Sequence, residues 1–328
     1  MKLITIRKCN KLEILLIHVV ILVCLFIMNL DLNSSKSSCT LKRESMELFD
    51  NFEKLNKLEF PLCNKRSRKY GYHQKVISTS AYQSDQDNKL LTRKILEYAL
   101  QYINESKYLY PNWRVRIYYH NLPITNKRIL DIEERYENVD FCNALDIPFL
   151  GDITAFMAGR LHRFVAFTDP FVDTFMSRDL DSPILKREVI AVDEWLSSSK
   201  LFHIMRDHQL HHDVMLAGLW GVKISQNDTI RKMLTQFLFS KPLIKCYDPI
   251  DGDLHFLQHF VWPLAQTDSI QHDSFHCQNY SSSIPFAQPK LSMSQFIGCR
   301  RPCRLNQDPP ELCPQQCLYP KRIDTVLC

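Results

Sequence analysis

Phe171-Val172-Asp173-Thr174-Phe175-Met176-Ser177-Arg178-Asp179-Leu180-Asp181-Ser182-Pro183 is the stretch on which the reading of this chain turns. Residues 171–176 are mostly apolar and β-prone, as a buried strand should be, and they run without a break into two aspartates one residue apart. Ser182 suits a helix N-cap and Pro183 the first helical position, so the sequence predicts strand, short turn, helix. Leu185, Val189, Val192 and Leu196 then recur at helical spacing. Carboxylates at a strand end just ahead of a helix stand where open α/β sheets hold their ligands.

The same alternation extends outward. A strand is expected over residues 75–80 and a helix over 90–102, where Leu91, Ile95, Tyr98 and Tyr102 keep a helical period. In residues 114–119, Val115, Ile117 and Tyr119 alternate with Arg114, Arg116 and Tyr118, the period of a strand with one buried face. Strand, helix, strand implies a parallel unit. A helix over 129–136, a strand over 139–142 and a helix carrying Met157, Leu161 and Phe164 on one face follow, with a further strand over 201–205. This order predicts an α/β/α sandwich. Trp195, Trp220, Phe171 and Phe175 are expected in its core.

Residues 12–30, which begin with Leu12 and end with Leu30, form an apolar run close to the minimum for a membrane-crossing helix. Lys2, Arg7, Lys8 and Lys11 precede it and Asp31 follows, so the short N-terminus is expected in the cytosol and the remainder in the secretory lumen. A cleaved signal peptide is the competing reading, without a convincing small-x-small cleavage site. Sequons at Asn33, Asn104, Asn227 and Asn279 and ten cysteines beyond residue 30 agree with an oxidising lumen. The expected organisation is a cytosolic tail 1–11, a transmembrane signal-anchor 12–30, a stem 31–69, a catalytic domain 70–298 and a Cys-rich tail 299–328. The net charge of +5 is modest and dispersed, which gives no footprint for nucleic acid. No phosphate-loop or dinucleotide fingerprint occurs.

Asp179 and Asp181 together suit a hard divalent cation, Mn2+ or Mg2+, with diphosphate oxygens completing its shell, and Arg178 suits a bidentate phosphate contact. Such an ion would neutralise charge on a departing nucleoside diphosphate. Asp-x-Asp also opens a phosphatase motif with a carboxylate nucleophile, but Pro183 stands where that motif has Thr or Val. His208, His211 and His212 would share one face if helical and could bind zinc, although no glutamate lies between paired histidines. Cys299-x3-Cys303 and Cys313-x3-Cys317 resemble a thiolate zinc site, for which the lumen favours disulfides instead.

The runs Ser177-Arg178-Asp179-Leu180-Asp181-Ser182, Arg187-Glu188, Ala191-Val192, Glu194-Trp195-Leu196, Phe202-His203-Ile204-Met205-Arg206-Asp207-His208 and Gly218-Leu219-Trp220-Gly221 resemble a family of glycosyltransferases found in bacteria, viruses and invertebrates. The resemblance implies the nucleotide-sugar transferase fold called GT-A. Weaker likeness continues at Tyr110-Pro111-Asn112-Trp113, Arg116-Ile117-Tyr118-Tyr119, Trp262-Pro263, His272-Asp273-Ser274 and Cys277, over about two-thirds of the chain. The resemblance implies Asp179 and Asp181 as the metal and diphosphate pair with Arg178 beside them. It puts Arg206, Asp207 and His208 near donor or acceptor sugar and makes His272 a late metal ligand. The chain departs from the pattern at Gln209, at Ala217 and at Asp253-Leu254.

The function expected is metal-dependent transfer of a sugar from a nucleotide-sugar donor to a glycan or glycoprotein acceptor, in a single-pass type II protein of the Golgi or endoplasmic reticulum membrane. Asp207, Glu188 and Asp253 are the candidate catalytic bases. The alternatives are a membrane-anchored glycan-binding protein without turnover, and a zinc hydrolase built on the histidines.

Overall fold

The computed structural model describes residues 58–82, 89–122, 124–240, 244, 252–280, 282–292, 294–303 and 313–318, with the backbone alone for 89–93. The apolar run 12–30, Asn33, Cys39, Cys246 and Cys328 lie outside the described residues. Among the described residues no helix is long and apolar enough to cross a membrane.

The chain forms a mixed α/β fold on an eight-stranded sheet. Its strands are β1 (Gln74–Tyr82), β2 (Arg114–His120), β3 (Val139–Asn143), β4 (Val172–Ser177), β5 (Phe202–Arg206), β6 (Trp220–Val222), β7 (Ser269–Asp273) and β8 (Ser283–Ile284). They lie in the order β3-β2-β1-β4-β6-β5-β7-β8. All pairings are parallel except those of β6, which runs antiparallel to both β4 and β5. β1 and β2 are joined through helix α1 (Lys89–Leu109), the parallel unit that the sequence predicts. The mostly parallel sheet is compatible with a Rossmann-like α/β domain.

One face of the sheet packs on α1, α2 (Asn126–Arg135) and α4 (Lys186–Ser197) through Ile103, Ile132, Val192 and Trp195, against Ile77, Val115, Ile117 and Met176 of the strands. The opposite face is aromatic. Phe175 and Trp220 meet Phe164 and Phe167, and Phe164 meets Phe256. Phe167 belongs to the short helix α3 (Val165–Thr168) and Phe256 to α6 (Gly252–Phe256). Helix α5 (Asp228–Phe239) joins this layer by packing Phe237 on Phe260. The four aromatics expected in the core are there: Trp195, Trp220, Phe171 and Phe175 are all buried.

Three local expectations differ from the structure. β2 is not half-solvated, because Arg114, Arg116 and Tyr118 are buried as well. Arg114 pairs with Asp140 (2.7 Å), Arg116 with Asp169 (2.5 Å), and the Tyr118 hydroxyl donates to the Leu62 carbonyl. The helix expected around Met157 is instead a 3-10 segment, Gly159–Phe164, ahead of α3. Its backbone bonds outward: Ser80 Oγ accepts from the Arg163 amide and Ser78 Oγ donates to the Arg163 carbonyl. Ser182 is not a helix cap. Its amide closes a turn onto the Asp179 carbonyl, the Ile184 amide donates to Glu105, and α4 begins only after the extended Leu185.

Both ends counted as appendages in the sequence have segments on the domain. Leu62 and Cys63 are buried, Cys63 is bonded to Cys142 of β3, and Arg66 pairs with Asp140. Cys299–Cys303 and Cys277–Cys317 are disulfides and Cys313 is disulfide-bonded too, in keeping with oxidised thiols rather than a zinc site.

Candidate functional site at the carboxyl ends of β1 and β4

From β1 the chain winds outward through β2 and β3, then returns to place β4 on the other side of β1. The strand order therefore reverses between β1 and β4, and the crevice beyond their carboxyl ends is where open α/β sheets bind ligands. Asp179 and Asp181 follow β4 directly into it. Asp179 is about half exposed (45%) and Asp181 26%.

Each carboxylate has one arginine. Arg163 reaches Asp179 at 2.5 Å and Asp253 at 3.0 Å, while Arg300 reaches Asp181 at 2.5 Å. Burial of Arg163 opposes its charge, but Asp179 and Asp253 outweigh that and hold its pKa above the ordinary value. Oδ2 of Asp179 and Oδ1 of Asp181 take no hydrogen bond among the described residues. Gly218, just before β6, closes on Asp179 so tightly that a Cβ there would lie 2.3 Å from Oδ2.

The segment Gly159–Phe164 links this pair to the ends of β1 and β2. Next to Arg163, His162 lies tilted against His120, the last residue of β2, with ring centres 5.0 Å apart. His120 stacks on Tyr82, the last residue of β1, with ring planes 2° apart. Gly159 touches that Tyr82 ring, where a Cβ would come within 2.6 Å. His162 Nε2 donates to the Met157 carbonyl, which leaves Nδ1 a bare acceptor in the neutral ring. Burial lowers the His162 pKa to about 4 and lowers that of His120. The Nδ1 atoms of both rings are buried without a hydrogen-bond partner. This segment thus joins stacked rings, whose two Nδ1 atoms are buried, at one end to carboxylates with arginines at the other.

The remaining residues expected at the site are distributed differently. Arg178 turns inward: Nε donates to Glu188 (2.7 Å) and Nη1 to the Ser177 and Trp220 carbonyls. Glu188 is buried and also accepts from the Tyr110 hydroxyl. Arg206 is buried at the end of β5 against Asp273 (2.6 Å), with its guanidinium 3.7 Å from the Tyr280 ring centre. Asp207 is fully buried among Arg187, Lys290, Ser274 Oγ and the Ile297 amide. Burial opposes its charge, yet Arg187 and Lys290 prevail and lower its pKa. His208 packs on Phe296 with ring centres 4.1 Å apart. Asp253 is buried on Arg163 and thereby joins the Asp179 group.

His272 is not with the aspartates. Its Nδ1 bonds His203 Nε2 at 2.9 Å and its Nε2 bonds Glu194 at 2.8 Å, which leaves no ring lone pair for a metal. The three histidines after β5 lie on turns, not on one helix face. Among the described residues no group of three or more His, Cys, Asp or Glu is gathered to hold a metal ion. Of the sequons, Asn104 and Asn279 are exposed, while Asn227 caps α5 by accepting from the Ile230 amide.

Arg163 and Arg300 were not singled out by the sequence. They lie 16 residues before Asp179 and 119 after Asp181, and no local pattern marks them. The chain matches no protein-family model. No curated protein matches it at a significant level either.

Proposed function

We propose that the chain binds a nucleotide sugar in the β1/β4 crevice and transfers the sugar to a glycan or glycoprotein. The observation that carries this reading is the placing of Asp179 and Asp181, with Arg163 between Asp179 and Asp253, at the switch point of a mostly parallel sheet. A nucleoside suits the Tyr82 and His120 end, where two partly exposed rings are stacked at the ends of β1 and β2. The GT-A likeness of the sequence points to the same crevice, and the lumenal setting agrees with the disulfides.

The open oxygens of Asp179 and Asp181 suit one Mn2+ or Mg2+ whose other ligands come from the diphosphate, without His272. Such an ion would stabilise the leaving diphosphate. The chain's own part is to hold those two oxygens in position. Arg163 does so for Asp179, and Arg300 adds positive charge at the mouth of the crevice. In the transfer, the acceptor hydroxyl oxygen bonds to the anomeric carbon as that carbon's bond to the diphosphate oxygen breaks. The electron pair leaves with the diphosphate, and the hydroxyl proton passes to a base or to water. Asp207 and Glu188, both buried in ion pairs, are poorly placed for that proton, and Asp253 is held by Arg163.

One observation favours a second reading, glycan binding without turnover. Arginines already neutralise both carboxylates. The two are separated by assaying donor hydrolysis with a panel of nucleotide sugars and manganese. Asp179→Asn and Asp181→Asn should each lower turnover by about a hundredfold or more, because several kcal/mol of transition-state stabilisation is lost. Wild-type turnover in both variants would remove the pair from the chemistry.

A further inference from the structure

Beside Asp181 a cleft of about 400 Å³ opens between α1 and the segment Arg301–Cys303, lined among others by Tyr98, Gln101, Pro183, Gln295, Arg301 and Pro302. Its volume falls within the roughly 300–1,000 Å³ of small-molecule sites. The Asp pair is adjacent: the Arg301 amide donates to the Asp181 carbonyl (2.8 Å), and Pro183 follows two residues after Asp181. The Cys299–Cys303 disulfide closes the loop that carries Arg301 and Pro302.

The charge in this wall is already matched. Both Nη atoms of Arg301 bind Glu105, at 2.7 and 2.6 Å, so the guanidinium brings no net positive charge to the cleft. The Tyr98 hydroxyl and the Gln101 and Gln295 amides, by contrast, make no hydrogen bond among the described residues. Two amides and a phenol supply donors and acceptors for hydroxyl groups, and the two prolines supply apolar contact for C–H faces. A phosphate, sulfate or carboxylate would find no unpaired cation in the lining.

We infer that this cleft is the acceptor subsite and takes a neutral sugar ring, a hexose or N-acetylhexosamine, at the end of a glycan. The inference rests on the transferase reading of the neighbouring aspartates. The ring lies against α1 and beside the Asp181–Pro183 segment, which reaches the cleft through Pro183.

The test uses the full chain in detergent and a panel of neutral oligosaccharides ending in hexose or N-acetylhexosamine, with sialylated and sulfated counterparts, read by saturation-transfer NMR titration. Gln101 and Gln295 are exposed, so their alanine variants should fold. Neutral members should bind, and Gln101→Ala and Gln295→Ala should each weaken them by about tenfold, the loss of a hydrogen bond or two. Lys127→Ala, on the exposed face of α2, serves as the control and should bind as wild type. The inference is overturned if no neutral member binds, if charged members bind more tightly, or if the glutamine variants bind unchanged. Donor hydrolysis by the wild type is measured in parallel. Hydrolysis without cleft binding refutes the cleft and keeps the transferase reading, whereas cleft binding without hydrolysis of any donor refutes the acceptor role and that reading together.

Discussion

Arg178 and Arg163 show how two arginines near one motif divide the work. Arg178 immediately precedes Asp179, yet its side chain is buried on Glu188. Arg178→Ala would leave the Glu188 carboxylate buried with only the Tyr110 hydroxyl, and should lower unfolding free energy by roughly 3–5 kcal/mol, measured by urea denaturation. A weakened donor affinity with stability intact would contradict this placing. Histidines add a pH dependence. Burial lowers the pKa of His162 from 6.5 to about 4 and that of His211 from 6.5 to about 3, so both are neutral in the fold. In the unfolded chain they titrate near 6.5. Between the unfolded and folded values the unfolded chain binds more protons, so this contribution is whole above about 6.5 and is lost as the pH falls. The urea midpoint should therefore drop between about pH 7 and 5, and more shallowly in His162→Gln.

The 3-10 segment Gly159–Phe164 and the start of β6 are the elements that shape the crevice. Gly218→Ala would drive a Cβ into the Asp179 carboxylate, whose other oxygen Arg163 holds. The carboxylate should swing aside, lowering donor turnover by about tenfold, equivalent to ~1.4 kcal/mol, with little change in thermal midpoint. Turnover equal to wild type would mean that the position of Asp179 is not critical. These elements were also the least legible in the sequence. The run from Phe171 through Asp181 could be read because a buried strand and its following turn are local patterns. Gly159–Phe164 misled because its apolar spacing is helical while its backbone bonds to Ser78 and Ser80, about 80 residues earlier. β2 misled for a similar reason, since the acids that neutralise Arg114 and Arg116 lie on β3 and just before β4.

For the whole molecule, the Cys63–Cys142 bond ties the segment ahead of β1 to the outer strand β3 across 79 residues of sequence. Replacing both cysteines by alanine should lower stability by roughly 2–4 kcal/mol, since a loop of that length restrains the unfolded chain strongly. Urea denaturation of this double variant and of the unaltered chain, both without reductant so that Cys277–Cys317 and Cys299–Cys303 stay closed, reads the difference. Toward the other edge of the sheet ion pairs add to the disulfides, with Asp207 collecting Arg187, Lys290 and the Ile297 amide at the end of β5. Only the presence of an acid there was legible, because its partners come from α4 and from residues 290 and 297.

The reversal of β6 has its own outcome. Since β6 alone runs against its neighbours, the connection from β5, residues 207–219, both leaves and re-enters the sheet at the crevice end, and it delivers Gly218 to Asp179. The tip of that connection carries the exposed Leu210. Around that leucine the connection is fastened to the residues after β7, where His276 Nε2 and the Tyr280 hydroxyl donate to the Gln209 and His212 carbonyls, so one path of chain outside the strands runs from β7 across to the Asp179 carboxylate.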